Sequence, residues 1–316
     1  MLLFAGLLGC WFTDEEVERA AEAAAPPTVD VLLVIDTSGS MKEEASALAL
    51  GLDAVVAGLG DADWQLGVTT VTADYGAAGT AGIDPGEAGT LVGPVVASAD
   101  ADPVAALRSV LLCDTIYWRD SDLASDPAYV VGDTGDCPAP VDEVVREYLD
   151  CVCGAGGWVT EEGAGNEEGL EAVFDALCRA GDDQPEDCWS EDSPLTEGDA
   201  GTNADLWRDG VPGVALLVSD EGDGSRRQAN TDPDPTPYVE LFAATGRDFR
   251  LYVVGPTYDG SDGSCLDSAQ TWGVERYQAA AEATGGDYAS LTDIDDDCSA
   301  NDVAAAAADF MAQAVD

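Results

Sequence analysis

The feature that most constrains this chain is a junction near its start. Val29 to Ile35 (VDVLLVI) is an almost unbroken run of β-branched and aliphatic residues. A run of that length reads as a strand buried on both faces, as in a parallel sheet. Asp36-Thr37-Ser38-Gly39-Ser40-Met41 follows at once, and Glu43 to Leu59 then carries apolar residues at helical spacing. A strand, a short polar loop and a helix open a doubly wound α/β domain.

The rest of the chain continues the alternation. Trp64 to Thr72 reads as a strand, Ala73 to Gly93 as a glycine-rich loop or hairpin, and Pro103 to Trp118 as a helix. Arg119 to Pro140 is polar and punctuated by Asp, Gly and Pro, and Cys113 and Cys137 flank it, which predicts a disulfide-pinned insertion within about 76–160. Val141 to Val152 and Asn166 to Arg179 read as helices, the second with Leu170, Val173, Phe174 and Leu177 on one face. Gly181 to Gly210 is acidic and loop-like. Val214 to Ser219 and Phe249 to Val254 read as strands, Tyr238 to Thr245 and Val274 to Thr284 as helices, and Val303 to Val315 as a closing alanine-rich helix. The expected fold is a mostly parallel central sheet covered by helices on both faces, filling 29–316.

Composition excludes several functions. Among 316 residues, 63 are Asp or Glu and 12 are Lys or Arg, a formal charge of −51. Such a surface repels phosphate backbones, which rules out a nucleic-acid partner. A salty milieu would account for the charge without any specific function. There is no histidine, so a Ser-His-Asp triad and a His-based zinc site are both excluded. Catalysis would have to rest on carboxylates or cysteine, no paired carboxylates stand at a recognisable spacing, and the chain reads as a non-enzyme.

The first of nine cysteines, Cys10, ends an apolar run in Leu7-Leu8-Gly9-Cys10. This resembles a bacterial lipobox, in which the cysteine is diacylated, although Met1 to Leu8 is short and lacks a basic start. Residues 1–10 are therefore read as a signal and lipobox segment and residues 11–28, acidic and alanine-rich, as a tether. The other cysteines are Cys113, Cys137, Cys151, Cys153, Cys178, Cys188, Cys265 and Cys298. An even set in an exported chain predicts disulfides. Cys178 with Cys188, and Cys265 with Cys298, are the natural local pairs, and Cys151 and Cys153 read as structural. The implied location is the bacterial cell envelope, lipid-anchored at the outer membrane or cell surface, in an oxidising compartment.

Asp36, Ser38 and Ser40 stand just past the carboxyl end of a buried strand, where doubly wound sheets bind ligands. One carboxylate and two hydroxyls offset by two residues on a tight turn can present oxygens to one hard cation, Mg²⁺ or Ca²⁺. The competing reading of Asp36 is a helix N-cap. The segment Val29 to Met41 resembles the first metal-binding motif, DxSxS, of von Willebrand factor A domains. Val214 to Asp220 resembles the strand and aspartate of that family's third motif, and Thr284-Gly285-Gly286-Asp287-Tyr288 the start of its last strand. The resemblance spans about Val29 to Val315 and is similar to cysteine-bearing envelope lipoproteins of Gram-negative bacteria. It implies a metal-ion-dependent adhesion site with Asp36, Ser38, Ser40 and Asp220 as ligands, and Asp223 and Glu221 as candidates to orient them. The second motif departs from the family: Gly165 falls where threonine is usual, and Glu167, or Glu168, reaches the ion instead, unless Glu167 serves only as a favourable charge at a helix start.

The resemblance implies a protein-binding module for adhesion or scaffolding, whose partner supplies a carboxylate to the cation. The alternative is a purely structural cation. Mass spectrometry of natively expressed protein is expected to find a diacylglyceryl group on Cys10 at the mature amino terminus, and an intact Met1 terminus would refute the lipobox.

Overall fold

The computed structural model describes residues 26–38, 41–72, 87–116, 137, 145–157, 168–181, 183–190, 193–225, 227, 234–256, 273–291 and 301–315. Its centre is a six-stranded sheet of β1 (Thr28–Ile35), β2 (Asp63–Thr70), β3 (Val92–Ala97), β4 (Gly213–Val218), β5 (Phe249–Gly255) and β6 (Tyr288–Ser290), in the order β3-β2-β1-β4-β5-β6. All neighbouring pairs are parallel except β2 with β3. In β1 only Thr28 is exposed. Its side chains alternate between two cores, as strand periodicity requires: Val29, Val31, Leu33 and Ile35 enter one, Leu32 and Val34 the other.

Helices cover both faces. The first core takes side chains from α1 (Lys42–Leu50), α2 (Leu52–Gly58), α3 (Pro103–Ser109), α4 (Val145–Cys153) and α8 (Asn301–Val315). The second takes them from α5 (Gly169–Cys178), α6 (Thr236–Ala244) and α7 (Val274–Ala283). The expected apolar stripe of α5 holds, with Leu170, Val173, Phe174 and Leu177 all in the second core. No described helix is long and apolar enough to cross a membrane.

Three elements differ from the sequence expectation. The single helix expected over 43–59 is two, broken at Gly51, where an added Cβ would lie 2.2 Å from the Ala304 Cβ. The alanine-rich α8 presses so closely here, and again at Gly58, that no side chain fits between the helices. The helix expected over 103–118 changes to π-helical winding at Val110–Thr115 and runs out at Ile116. Strand β3 lies partly in the stretch expected as loop. Gly93 and Pro94 break its apolar alternation, which hid it. Proline is tolerated there because β3 is an edge strand, antiparallel to β2 with a register shift between Leu66 and Val68. Strand β3 and α3 thus belong to the sheet and its core, although both fall within the span 76–160 expected as an insertion.

Three disulfides close the described fold: Cys113–Cys153, Cys137–Cys151 and Cys178–Cys188. The third is the expected local pair. The flanking cysteines 113 and 137 do not join each other; each is bridged to α4 instead, through Cys153 and Cys151. Cys151 and Cys153 stand two residues apart on α4, roughly 200° around the helix, so each meets a different partner. The fold therefore belongs in an oxidising compartment. Cys10, Cys265 and Cys298 lie outside the described residues, as do residues 11–25 of the expected tether, whose last residue, Thr28, opens β1, and most of the polar stretch 119–140. Bridges spanning 40, 14 and 10 residues each stabilise by roughly 2.5–4 kcal/mol in the chain-entropy picture. Non-reducing peptide mapping is expected to return these three pairs. Replacing Cys178 and Cys188 together by serine is expected to lower stability by about 2–3 kcal/mol in denaturant unfolding, and recovery of a Cys113–Cys137 peptide would contradict the bridging described.

Candidate metal centre

Strand order reverses between β1 and β4, whose following helices α1 and α6 pack on opposite faces. A crevice opens at such a point beyond the carboxyl ends of the strands. The backbone ladder runs right up to it. Asp36 N–H donates to Val218 O at 3.0 Å, Val71 N–H to Ile35 O at 3.0 Å, and Ser219 N–H to Val254 O at 3.1 Å. Asp36 and Ser219 are thus held side by side by main-chain bonds before their side chains contribute.

The Asp36 carboxylate is 1 % exposed. Its Oδ1 accepts from Ser38 N–H at 2.8 Å and its Oδ2 from the Ser219 hydroxyl at 2.6 Å, while the Ser38 side chain also bonds it. Helix α1 starts at Lys42, and its N-cap Met41 makes no side-chain cap. Asp36 is therefore not a helix cap; it organises its own loop and reaches across to β4. Asp220, 7 % exposed, stands close enough for its charge to act on Asp36. Burial first, and the Asp220 charge second, push the Asp36 carboxyl up to about 7, against the lowering effect of the Ser219 and Ser38 hydrogen bonds. Two acidic side chains from strands adjacent in space and distant in sequence thus converge and repel.

The other expected residues fall as follows. Glu221 is half-buried, and its N–H donates to Ser219 Oγ at 3.1 Å. Asp223 is fully buried and turned toward α5 and α7: its Oδ2 accepts from Arg276 at 2.8 Å, and its Oδ1 from Leu170 N–H at 3.1 Å. Ser40 and Glu167 lie outside the described residues. Glu168 is buried at the start of α5, with its N–H on Val71 O at 2.9 Å, so the start of α5 stands at the same edge of the sheet.

No protein-family model matches this sequence, and no curated protein is similar to it.

Sequence reasoning missed Ser219, Ser225 and Arg276. Ser219 ends an apolar strand just before Asp220, which was its one available signal. Arg276 gave none, since its partner is remote in sequence, and Ser225 gave only its place two residues after Asp223.

The donor set suits a hard divalent ion. Its members are oxygens, and each Asp36 oxygen accepts one described main-chain or Ser219 hydrogen bond while a carboxylate offers about four lone-pair sites. Among the described residues, no group of three or more His, Cys, Asp or Glu gathers to hold a metal, so Asp36 and Asp220 are the acidic pair to test. In thermal unfolding, Mg²⁺ or Ca²⁺ at about a hundredfold excess over Kd is expected to raise Tm by roughly 5–10 °C. Asp36→Ala should abolish that rise. Equal melting with cation and with chelator, in both proteins, would count against the site.

Proposed function

We propose that this chain is a non-enzymatic module of the von Willebrand factor A type, with a doubly wound sheet and a metal-ion-dependent adhesion site. In this reading Asp36, Ser38, Ser40 and Asp220 hold Mg²⁺ or Ca²⁺, Glu167 adds a ligand from the second loop, and Glu221 and Asp223 orient the shell. The observation that carries it is the convergence of buried Asp36 and Asp220 at the reversal of strand order, where their mutual repulsion is relieved most directly by a divalent ion. The strand order with its one antiparallel edge, and the bond from Glu168 at the start of α5 to Val71 at the same edge of the sheet, support the same reading.

The module's task is to capture a protein partner through a carboxylate that completes the ion's shell, for adhesion or scaffolding. Lipidated Cys10 and the tether 11–28 would hold it at the bacterial outer membrane or cell surface. The disulfides suit that compartment, and the acidic excess suits a protein rather than a nucleic-acid partner.

A second reading has its own support. Asp36 and Asp220 are both buried, as expected of an ion that serves the fold alone. The two readings part under a carboxylate probe. With Mn²⁺ as the bound ion, a short Asp-containing peptide is expected to displace metal-bound water and lower the water-proton relaxation enhancement. The same peptide with Asn should not. Equal traces for both peptides would leave the structural ion as the surviving account.

A further inference from the structure

Helix α5 has an end that its own sequence does not finish. Its first N–H groups need acceptors from outside the helix, and its N-cap Glu168 makes no side-chain cap. The loop after β4 supplies them instead. Asp223 Oδ1 accepts from Leu170 N–H at 3.1 Å, and Ser225 Oγ accepts from Glu171 N–H at 2.9 Å. The Ser225 hydroxyl then donates to Asp223 Oδ1 at 2.6 Å, which closes a ring.

Two further contacts press on the same loop. Arg276 of α7, fully buried, donates to Asp223 Oδ2 at 2.8 Å. Gly273, at φ 88°, lies so close that an added Cβ would stand 2.4 Å from Asp223 O and 2.6 Å from its N. One step along, Arg227 Nε donates to Glu171 Oε1 at 2.8 Å, and the Tyr238 hydroxyl of α6 donates to Glu171 Oε2 at 2.8 Å. Asp223, Ser225 and Arg227 are therefore fastened to α5, α6 and α7 between them. Asp220 sits three residues before the ring, and the start of α5 is tied to Val71, whose own N–H holds Ile35 beside Asp36.

A buried ion pair is a poor source of net stability, and its best-attested use is to select one arrangement over others. We infer that Asp223, Ser225 and Arg276 are positioning residues that hold the Asp220 loop rigid against α5 and α7, and that this rigidity lets the site accept Mg²⁺ as well as Ca²⁺. The inference rests on the cation-site reading above. Its physical basis is the difference between the ions: Mg²⁺ demands near-ideal octahedral geometry at short distances, whereas Ca²⁺ accepts looser shells. A clamp that merely supported the fold would affect both ions alike.

The test is calorimetric titration of Mg²⁺ and of Ca²⁺ into the whole chain and into Ser225→Ala, which removes one hydroxyl. Substitutions behind metal ligands typically cost 10–100-fold in affinity, so Mg²⁺ is expected to weaken by at least about tenfold, with Ca²⁺ weakened by no more than about threefold. Ser225→Thr, which keeps the hydroxyl, should recover the wild-type ratio. If Ser225→Ala does not fold, Arg276→Lys, which keeps the charge but not the guanidinium shape, carries the same comparison. An unchanged ratio of the two affinities overturns the clamp while leaving the site intact. A wild-type chain that binds neither ion overturns the site and the clamp together.

Discussion

The parallel pairing of β1 with β4 is the contact on which the rest depends. Its register, Ile35 opposite Val218, places Asp36 beside Ser219 and brings Asp220 within electrostatic reach. Strand side chains alternate with a period of two, so a slip of one residue would exchange the two cores along the whole strand. Leu32 and Val34 would then meet the helices that Leu33 and Ile35 now meet. The same hydrophobic pattern that fixes the sheet therefore also fixes the acidic pair at its edge.

How much of this could be read from residues alone follows from range. The runs at β1, β4 and β5 are apolar enough to declare buried parallel strands, and the polar residues that end them declare the edge where ligands gather. The stripe on α5 is equally plain. Strand β3 was not legible because Gly93 and Pro94 break its pattern, and only its edge position makes them acceptable. The break at Gly51 was hidden because its cause, Ala304, lies at the other end of the chain. At the candidate centre, Asp36, Ser38 and Asp220 announce themselves by motif, whereas the bonds of Ser225 to Glu171 and of Arg276 to Asp223 each cross more than fifty positions. The disulfide partners of Cys113 and Cys137 were obscured for a related reason: sequence shows which cysteines flank a segment, but not which way a helix turns them.

Scarce positive charge is spent on the interior. Arg208 bonds the fully buried Asp30, Arg276 the buried Asp223, Arg227 the buried Glu171, and Arg179 bonds Asp199. Removing Arg276 would take from buried Asp223 the guanidinium that balances its charge, which is far costlier than losing a surface pair, whereas Asp30 keeps Arg247 at 3.7 Å as a second arginine. The inward use of arginine leaves the acidic excess outward. A cation held between Asp36 and Asp220 would extend the same logic to an acidic pair that, among the described residues, has no arginine bonded to it.

The two bridges on α4 are nested, since the Cys137–Cys151 ring lies wholly inside the ring closed by Cys113–Cys153. Hydrolysis of any single peptide bond between residues 113 and 153 therefore cannot separate the two parts of the polypeptide. A protease acting there yields a nicked chain that stays covalently whole until a reductant arrives, with β1 and β4 still on opposite sides of the cut and still joined in one sheet.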